Sequence, residues 1–109
     1  MDLAVERTER QDGACVAVAG EVDAYTAPRM LAELLAALET DARLTVDLAG
    51  VTFMDSQGLA ALLRARQEAE RRGGQLRLER VSPRVRKLLE LTRLDTVFPL
   101  PPAADGSRA

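Results

Sequence analysis

The order of two kinds of apolar repeat along the chain limits the possible folds more than any other feature. Short segments place apolar residues at every second position, which is typical of half-buried strands, and longer segments place them three and four apart, which is typical of amphipathic helices. We predict strands, in chain order, at about residues 2–9, 14–20, 44–49, 76–79 and 96–100, the last as a short edge strand. The resulting order, ββαβαβα with a final β, indicates an α/β domain.

Three helices are predicted between and after these strands. The first begins at Thr26-Ala27-Pro28, the second spans 56–72, and the third begins at Ser82-Pro83. Thr26 and Ser82 are favoured N-cap residues, and a proline in the first helical turn loses no intrahelical hydrogen bond. The residues predicted to face the core are, helix by helix, Leu31, Leu34, Leu35 and Leu38; Leu59, Leu62 and Leu63; and Val85, Leu88 and Leu89.

The strands alternate apolar and polar residues, whereas a sheet covered on both faces has continuous apolar strands. We therefore expect a small mixed sheet of four to five strands with three to four helices packed mainly on one face. The 109 residues fit one domain, predicted over 1–100. Residues 101–109 offer little to bury and are predicted to be a disordered tail.

Composition argues against several classes of function. The chain has no histidine, which removes the commonest general base and metal ligand, and Cys15, its one cysteine, is predicted to be buried. A net charge of −2 gives no basic field for nucleic acid or an anionic membrane. No stretch reaches the ~20 apolar residues of a membrane span. We expect a cytoplasmic protein that is not an enzyme and that has no metal, cofactor, nucleic acid or membrane partner.

The junction Phe53-Met54-Asp55-Ser56-Gln57-Gly58 is the main candidate for function, because a serine there lies where a strand changes to a helix. Two interpretations of Ser56 remain open. It is either an N-cap, which is worth ~1 kcal/mol, or a phosphoacceptor. A hydrolase nucleophile is disfavoured, because the Gly-x-Ser-x-Gly turn and a histidine are both missing.

Asp23 follows the second predicted strand, and Asp55 precedes the second helix. These carboxylates either order their turns or support Mg²⁺ binding or phosphate transfer, although two acids alone make a weak metal site. If the second and third strands are parallel, their ends share one edge of the sheet, and Asp23 then lies close to Ser56. Gly58 allows close approach of backbone or a partner.

Three segments resemble the STAS-domain proteins, in particular the bacterial anti-sigma factor antagonists of the sporulation and general stress pathways. Residues 19–28 resemble the family's Gly-Glu-(Ile/Leu)-Asp segment with its following Ser/Thr-Ala-Pro, and residues 51–59 resemble its Asp-Ser-(Ser/Thr)-Gly-Leu signature. Residues 73–95 resemble its Gly-Gly, Ser-Pro and Gly-Leu-Asp ending. The resemblance covers about residues 3–98. Gln57 and Ala60 depart from it, standing where the family usually has Ser or Thr and often has Gly.

The resemblance implies a partner-switching mechanism. The unphosphorylated protein binds an anti-sigma factor, which is an ATP-dependent serine kinase, and so frees the sigma factor; phosphorylation of Ser56 abolishes binding, and a metal-dependent serine phosphatase restores it. The partner-binding residues implied are Asp23, Tyr25, Thr26, Met54, Asp55, Ser56, Gln57, Gly58 and Leu59. The alternative is a STAS scaffold or transporter-associated subunit that phosphorylation does not switch.

Overall fold

The structure is a computed structural model that describes residues 2–100. Its elements, in chain order, are β1 (Leu3–Arg10), β2 (Gly13–Val22), α1 (Ala27–Thr40), β3 (Arg43–Met54), α2 (Ser56–Arg71), β4 (Gln75–Val81), α3 (Pro83–Leu91) and a 3₁₀ turn at Leu94–Thr96. The predicted α/β class and the small mixed sheet are confirmed. Within this described part of the chain, no helix is long and apolar enough to cross a membrane.

The four strands lie side by side in the order in which they occur in the chain. β1 is antiparallel to β2, while β2, β3 and β4 are mutually parallel. The two crossovers through α1 and α2 advance in the same direction across the sheet, and right-handed crossovers then place both helices on one face. α1 and α2 pack against each other there.

That face carries the core. Val16, Val18, Val46 and Leu48 of the sheet are buried, together with helix residues Met30, Leu34, Leu38, Leu62 and Leu89. Four leucines predicted to face the core are only half-buried, at the rim of the packed layer: Leu31, Leu35, Leu63 and Leu88. In α1 the buried line runs through Met30, Leu34 and Ala37, because the helix turns that side to the sheet and to α2.

β3 is twice as long as its alternation predicts. It extends to Met54 because it pairs with β2 as far as Val22, through two shifts of register near Ala19 and Glu21. Each shift inserts an unpaired residue and breaks the alternation of inward and outward side chains. The extra length brings the end of β3 directly to the start of α2.

The predicted edge strand at 96–100 is wrong. Arg93 adopts a left-handed conformation (φ 63°), and the 3₁₀ turn follows, with the Phe98 N–H donating to the Leu94 carbonyl at 2.8 Å. Phe98 is buried in the core. Burial of this large ring therefore determines the path of the segment, in place of pairing to a neighbouring strand. The tail predicted at 101–109 lies outside the described residues.

The second face of the sheet carries charged side chains that pair across the strands. Arg10 on β1 and Glu79 on β4 form an ion pair at 2.7 Å, and Arg80 pairs with Asp47 of β3. Cys15 is buried among these charged groups, as predicted. Burial raises the pKa of the Cys15 thiol. The strands at the two edges are thus linked across this face.

Candidate functional site at the junction of β3 and α2

The ends of the two central parallel strands lie side by side. Val22 pairs with Met54, and the Asp55 N–H donates to the Val22 carbonyl at 3.2 Å. The loop that follows β2 and the first turn of α2 therefore meet at one edge of the sheet, as the sequence predicted for Asp23 and Ser56.

Asp23 orders the loop between β2 and α1. Its Oδ1 accepts hydrogen bonds from the Tyr25 N–H at 2.9 Å and from the Thr26 N–H at 3.1 Å. Desolvation alone raises the pKa of this carboxyl, but the bonds from Thr26 and Tyr25 outweigh it and hold the pKa of Asp23 below its ordinary value. Asp23 is therefore charged at neutral pH, and its loop has a fixed shape.

Thr26 occupies the N-cap position of α1, but its side chain makes no capping bond, contrary to prediction. Its hydroxyl donates to the Glu21 carbonyl at 2.7 Å and accepts from the Asp23 N–H at 2.9 Å. Because this hydroxyl points back towards the end of β2, it closes the loop rather than the helix. Thr26 thus acts with Asp23 to hold the loop.

The cap of α2 is Asp55 and not Ser56. The Asp55 carboxylate accepts from the Gln57 N–H at 2.9 Å and, at a longer 3.4 Å, from the Gly58 N–H. Aspartate and serine are both favoured caps, and the aspartate reaches the free amides of the first turn. Ser56 is the first residue of the helix itself.

The side chain of Ser56 is exposed. Among residues 2–100 its hydroxyl has no hydrogen-bond partner. The hydroxyl is therefore accessible to an enzyme, and changing it disturbs no contact of the described fold. The N-cap interpretation of Ser56 is therefore wrong, and the phosphoacceptor interpretation stays a prediction.

Three of the residues implied as partner-binding are buried, namely Met54, Gly58 and Leu59. A Cβ placed on Gly58 would lie 2.6 Å from Cγ of Met54 and 2.9 Å from Cγ1 of Val22. Glycine is required here because α2 approaches the strand ends closely. These three residues support the position of Ser56 from beneath.

The exposed part of the site contains Tyr25, Ser56 and Gln57, with Asp23, Thr26 and Asp55 half-buried. The Tyr25 side chain is 92% exposed. Phe53, 36% exposed, lies three residues before Ser56, and the Arg84 guanidinium sits over its ring, 5.4 Å from the centroid. Arg84 was not anticipated, since no local pattern links the start of α3 to the end of β3.

No group of three or more potential metal ligands of the His, Cys, Asp or Glu type occurs within the described range, 2–100. Asp23 and Asp55 are each engaged with backbone amides of their own turns. Their observed task is thus to order these turns, which is the first of the two interpretations drawn from the sequence.

Comparison with known proteins shows which family the chain resembles. The family model described as "Mlab, STAS domain" matches residues 6–102. The anti-sigma-B factor antagonist of Bacillus subtilis (strain 168) is 30% identical over 106 residues, covering 97% of each chain. The anti-sigma factor antagonist from Mycobacterium paratuberculosis has a similar structure, with a TM-score of 0.82, 28% identity, and coverage of 95% of this chain and 89% of that one.

The chain therefore belongs to the STAS domain family, and these two relatives are anti-sigma factor antagonists. The fold is also similar to that of the Bacillus cell fate determinant SpoIIAA in its phosphorylated form, with a TM-score of 0.67, 22% identity, and coverage of 85% of this chain and 86% of that one.

Proposed function

We propose that this protein is an anti-sigma factor antagonist switched by phosphorylation of Ser56. In this mechanism the unphosphorylated protein binds an anti-sigma factor that is a serine kinase, and the sigma factor is released. Phosphorylation ends the binding, and a metal-dependent serine phosphatase restores it. The partners act on transcription, which puts the proposed site of action in the cytoplasm.

One observation carries this proposal: the Ser56 hydroxyl is exposed and has no hydrogen-bond partner in the described structure, at the first residue of a helix whose cap is already filled. Support also comes from the relatives named anti-sigma factor antagonists and from SpoIIAA, which has a phosphorylated form. A modification that displaces no contact can alter a surface and leave the fold unchanged.

The occupied cap of α2 limits the backbone amides that a phosphate on Ser56 could bind. A helix N-terminus normally attracts a phosphate through its free amides. Here the amides of Gln57 and Gly58 already bond to the Asp55 carboxylate, which also repels a second anion. The phosphate therefore finds fewer free amides than at an uncapped helix N-terminus, and we expect it to remain at the docking surface.

A phosphate at this surface affects the interface with the docked partner. It adds about −1.5 to −2 charges next to Asp55 and near the charged Asp23. A partner that had docked against a neutral hydroxyl then meets a bulky dianion that must lose its water. Burying such a charge without a counterion costs several kcal/mol, which lowers affinity by orders of magnitude.

The test has two parts. The purified protein is incubated with ATP and each candidate kinase, including the anti-sigma-B factor of Bacillus subtilis, and the phosphate is located by mass spectrometry. We expect one phosphate, on Ser56, and none in Ser56→Ala. Kinase binding is then compared by calorimetry for the unmodified and phosphorylated forms.

We expect the unmodified protein and Ser56→Ala to bind the kinase, and the phosphorylated form to lose at least a hundredfold in affinity while its circular dichroism is unchanged. Thr52→Ala is a matched control, because it removes a second exposed hydroxyl close to the junction. Equal binding by both forms contradicts the switch and leaves the non-switched scaffold as the better description.

A further inference from the structure

The three aromatic residues of the chain are distributed unusually. Phe98 is buried, but Tyr25 and Phe53 are exposed, and both lie at the edge of the sheet that carries Ser56. Tyr25 belongs to the loop after β2. Phe53 is the second-last residue of β3 and pairs with Glu21 of β2. The chain thus places two of its three aromatic side chains at the same edge of the sheet as Ser56.

Phe53 is paired with a side chain from a distant part of the sequence. The guanidinium of Arg84, the second residue of α3, lies over its ring at 5.4 Å from the centroid. α3 packs along β3, and the Ser82 N–H donates to the Leu48 carbonyl at 3.2 Å, so the first turn of α3 is fixed against the sheet. The guanidinium is thereby held over the ring, and its freedom is reduced before any partner arrives.

The charge of Arg84 is not neutralised within the described structure. No acidic side chain of residues 2–100 forms an ion pair with Arg84. A guanidinium carries five N–H donors, and these donors match a carboxylate in geometry and charge. Arginine and aromatic side chains of this kind dominate the binding energy of many protein interfaces.

We infer that Phe53 and Arg84 form a second anchor of the docking surface, in addition to the exposed Tyr25. This inference rests on the proposed function. The partner surface that fits has an apolar recess for the exposed part of the Phe53 ring and a carboxylate that receives the Arg84 guanidinium. Ser56 lies three residues after Phe53, and we expect a phosphate added there to weaken the contact of this anchor with the partner.

The test uses the kinase that phosphorylates Ser56 and measures its affinity for unphosphorylated variants by calorimetry. We expect Phe53→Ala and Arg84→Ala each to lower affinity about tenfold or more, since truncation of such anchors is costly. The double variant should lose less than the product of the two, because the pair acts as a unit. Phe53→Leu and Arg84→Lys should give intermediate losses.

Two matched controls separate an anchor from a general surface effect. Arg64→Ala removes an exposed arginine from α2, and Leu91→Ala removes a leucine that is 71% exposed at the far end of α3. Both should bind as the parent does. Circular dichroism and the melting temperature verify that every variant is folded.

The outcomes distinguish this inference from the proposed function. If the parent binds the kinase and both alanine variants bind within twofold of it, the second anchor is refuted and the proposed function stands. If Arg84→Ala binds normally before phosphorylation but changes the affinity of the phosphorylated form, Arg84 interacts with the phosphate and the inference is wrong. If the parent binds no kinase, the proposed function fails and the inference fails with it.

Discussion

Asp55 and Ser56 are neighbours with separate tasks. The aspartate bonds to the amides of Gln57 and Gly58, and the serine hydroxyl is exposed and without a partner in the described structure. The sequence allowed either residue to be the cap, because both types are favoured at that position. The choice depends on backbone conformation: Asp55 is extended (φ −115°, ψ −168°), as an N-cap requires, while Ser56 is already helical.

This division of tasks predicts different changes in the free energy of unfolding for substitutions at the two adjacent residues. Asp55→Ala should lower the free energy of unfolding by about 1 kcal/mol, because the first amides of α2 lose their acceptor. Ser56→Ala should change it by less than about 0.5 kcal/mol. Urea denaturation at pH 7 measures both, with Asp55→Asn as the control that keeps a capping oxygen. A larger loss for Ser56→Ala than for Asp55→Ala would show that the serine is the cap.

At the scale of the elements, α2 is positioned by its close approach to the ends of two strands. Gly58 faces Met54 and Val22, with no room for a Cβ. The helix tip that presents Ser56 is thus set by contacts on its buried side. Met54 and Leu59, implied as partner-binding by the family signature, contribute from the same buried side.

Gly58→Ala tests this close approach. Helix propensity alone favours alanine by about 1 kcal/mol, whereas overpacking of a core costs about 1–3 kcal/mol. We expect the overpacking to dominate and the free energy of unfolding to fall, since two different side chains obstruct the new methyl group. Thermal and urea unfolding provide the measurement.

Gln57→Ala, at the exposed neighbouring position, is the control and should be nearly neutral in stability. A Gly58→Ala variant as stable as the parent would mean that Met54 moves aside and that α2 is not held by this contact.

The whole molecule combines one helix-covered core with a second sheet face that carries partly exposed ion pairs. Asp47 lies in that face, 8% exposed, and accepts from Arg80 and from the Ala49 N–H at 3.0 Å. Desolvation raises the pKa of Asp47, but the bonds from Arg80 and Ala49 outweigh it, so that the pKa is lowered overall. The ionised carboxylate is therefore favoured by folding.

A lowered folded-state pKa has a defined effect on stability against pH. The contribution of the Asp47 carboxylate to the free energy of unfolding is complete above its unfolded-state pKa, near about 3.9. This contribution is lost as the pH falls through the folded-state pKa. Asp47→Asn should therefore cost about 1–2 kcal/mol at pH 6, and the difference from the parent should shrink below pH 4. Urea denaturation at several pH values measures this.

Asp12→Asn is the control, because the exposed Asp12 lies 3.7 Å from Arg77 and such surface pairs contribute little. A difference between parent and Asp47→Asn that stays constant from pH 6 to pH 3 would contradict the assignment.

The sequence predicts the fold well and the details of the site only in part. Alternation and helical spacing reflect which residues are buried, and the order of apolar and polar residues shows that pattern. The mixed sheet and the helix-covered face therefore follow directly from the sequence. The length of β3 does not, because its two register shifts come from pairing with β2. The contact of Arg84 with Phe53 joins residues 31 positions apart, and no local pattern encodes it.

The filled cap of α2 has a further consequence, for evolution. Because Asp55 meets the needs of the helix, residue 56 imposes no folding requirement, and a lineage can gain, lose or exchange its modifiable side chain in one mutational step. Under the proposed function, the capacity to carry a signal is then inherited separately from the capacity to fold. Selection can adjust the first without risking the second.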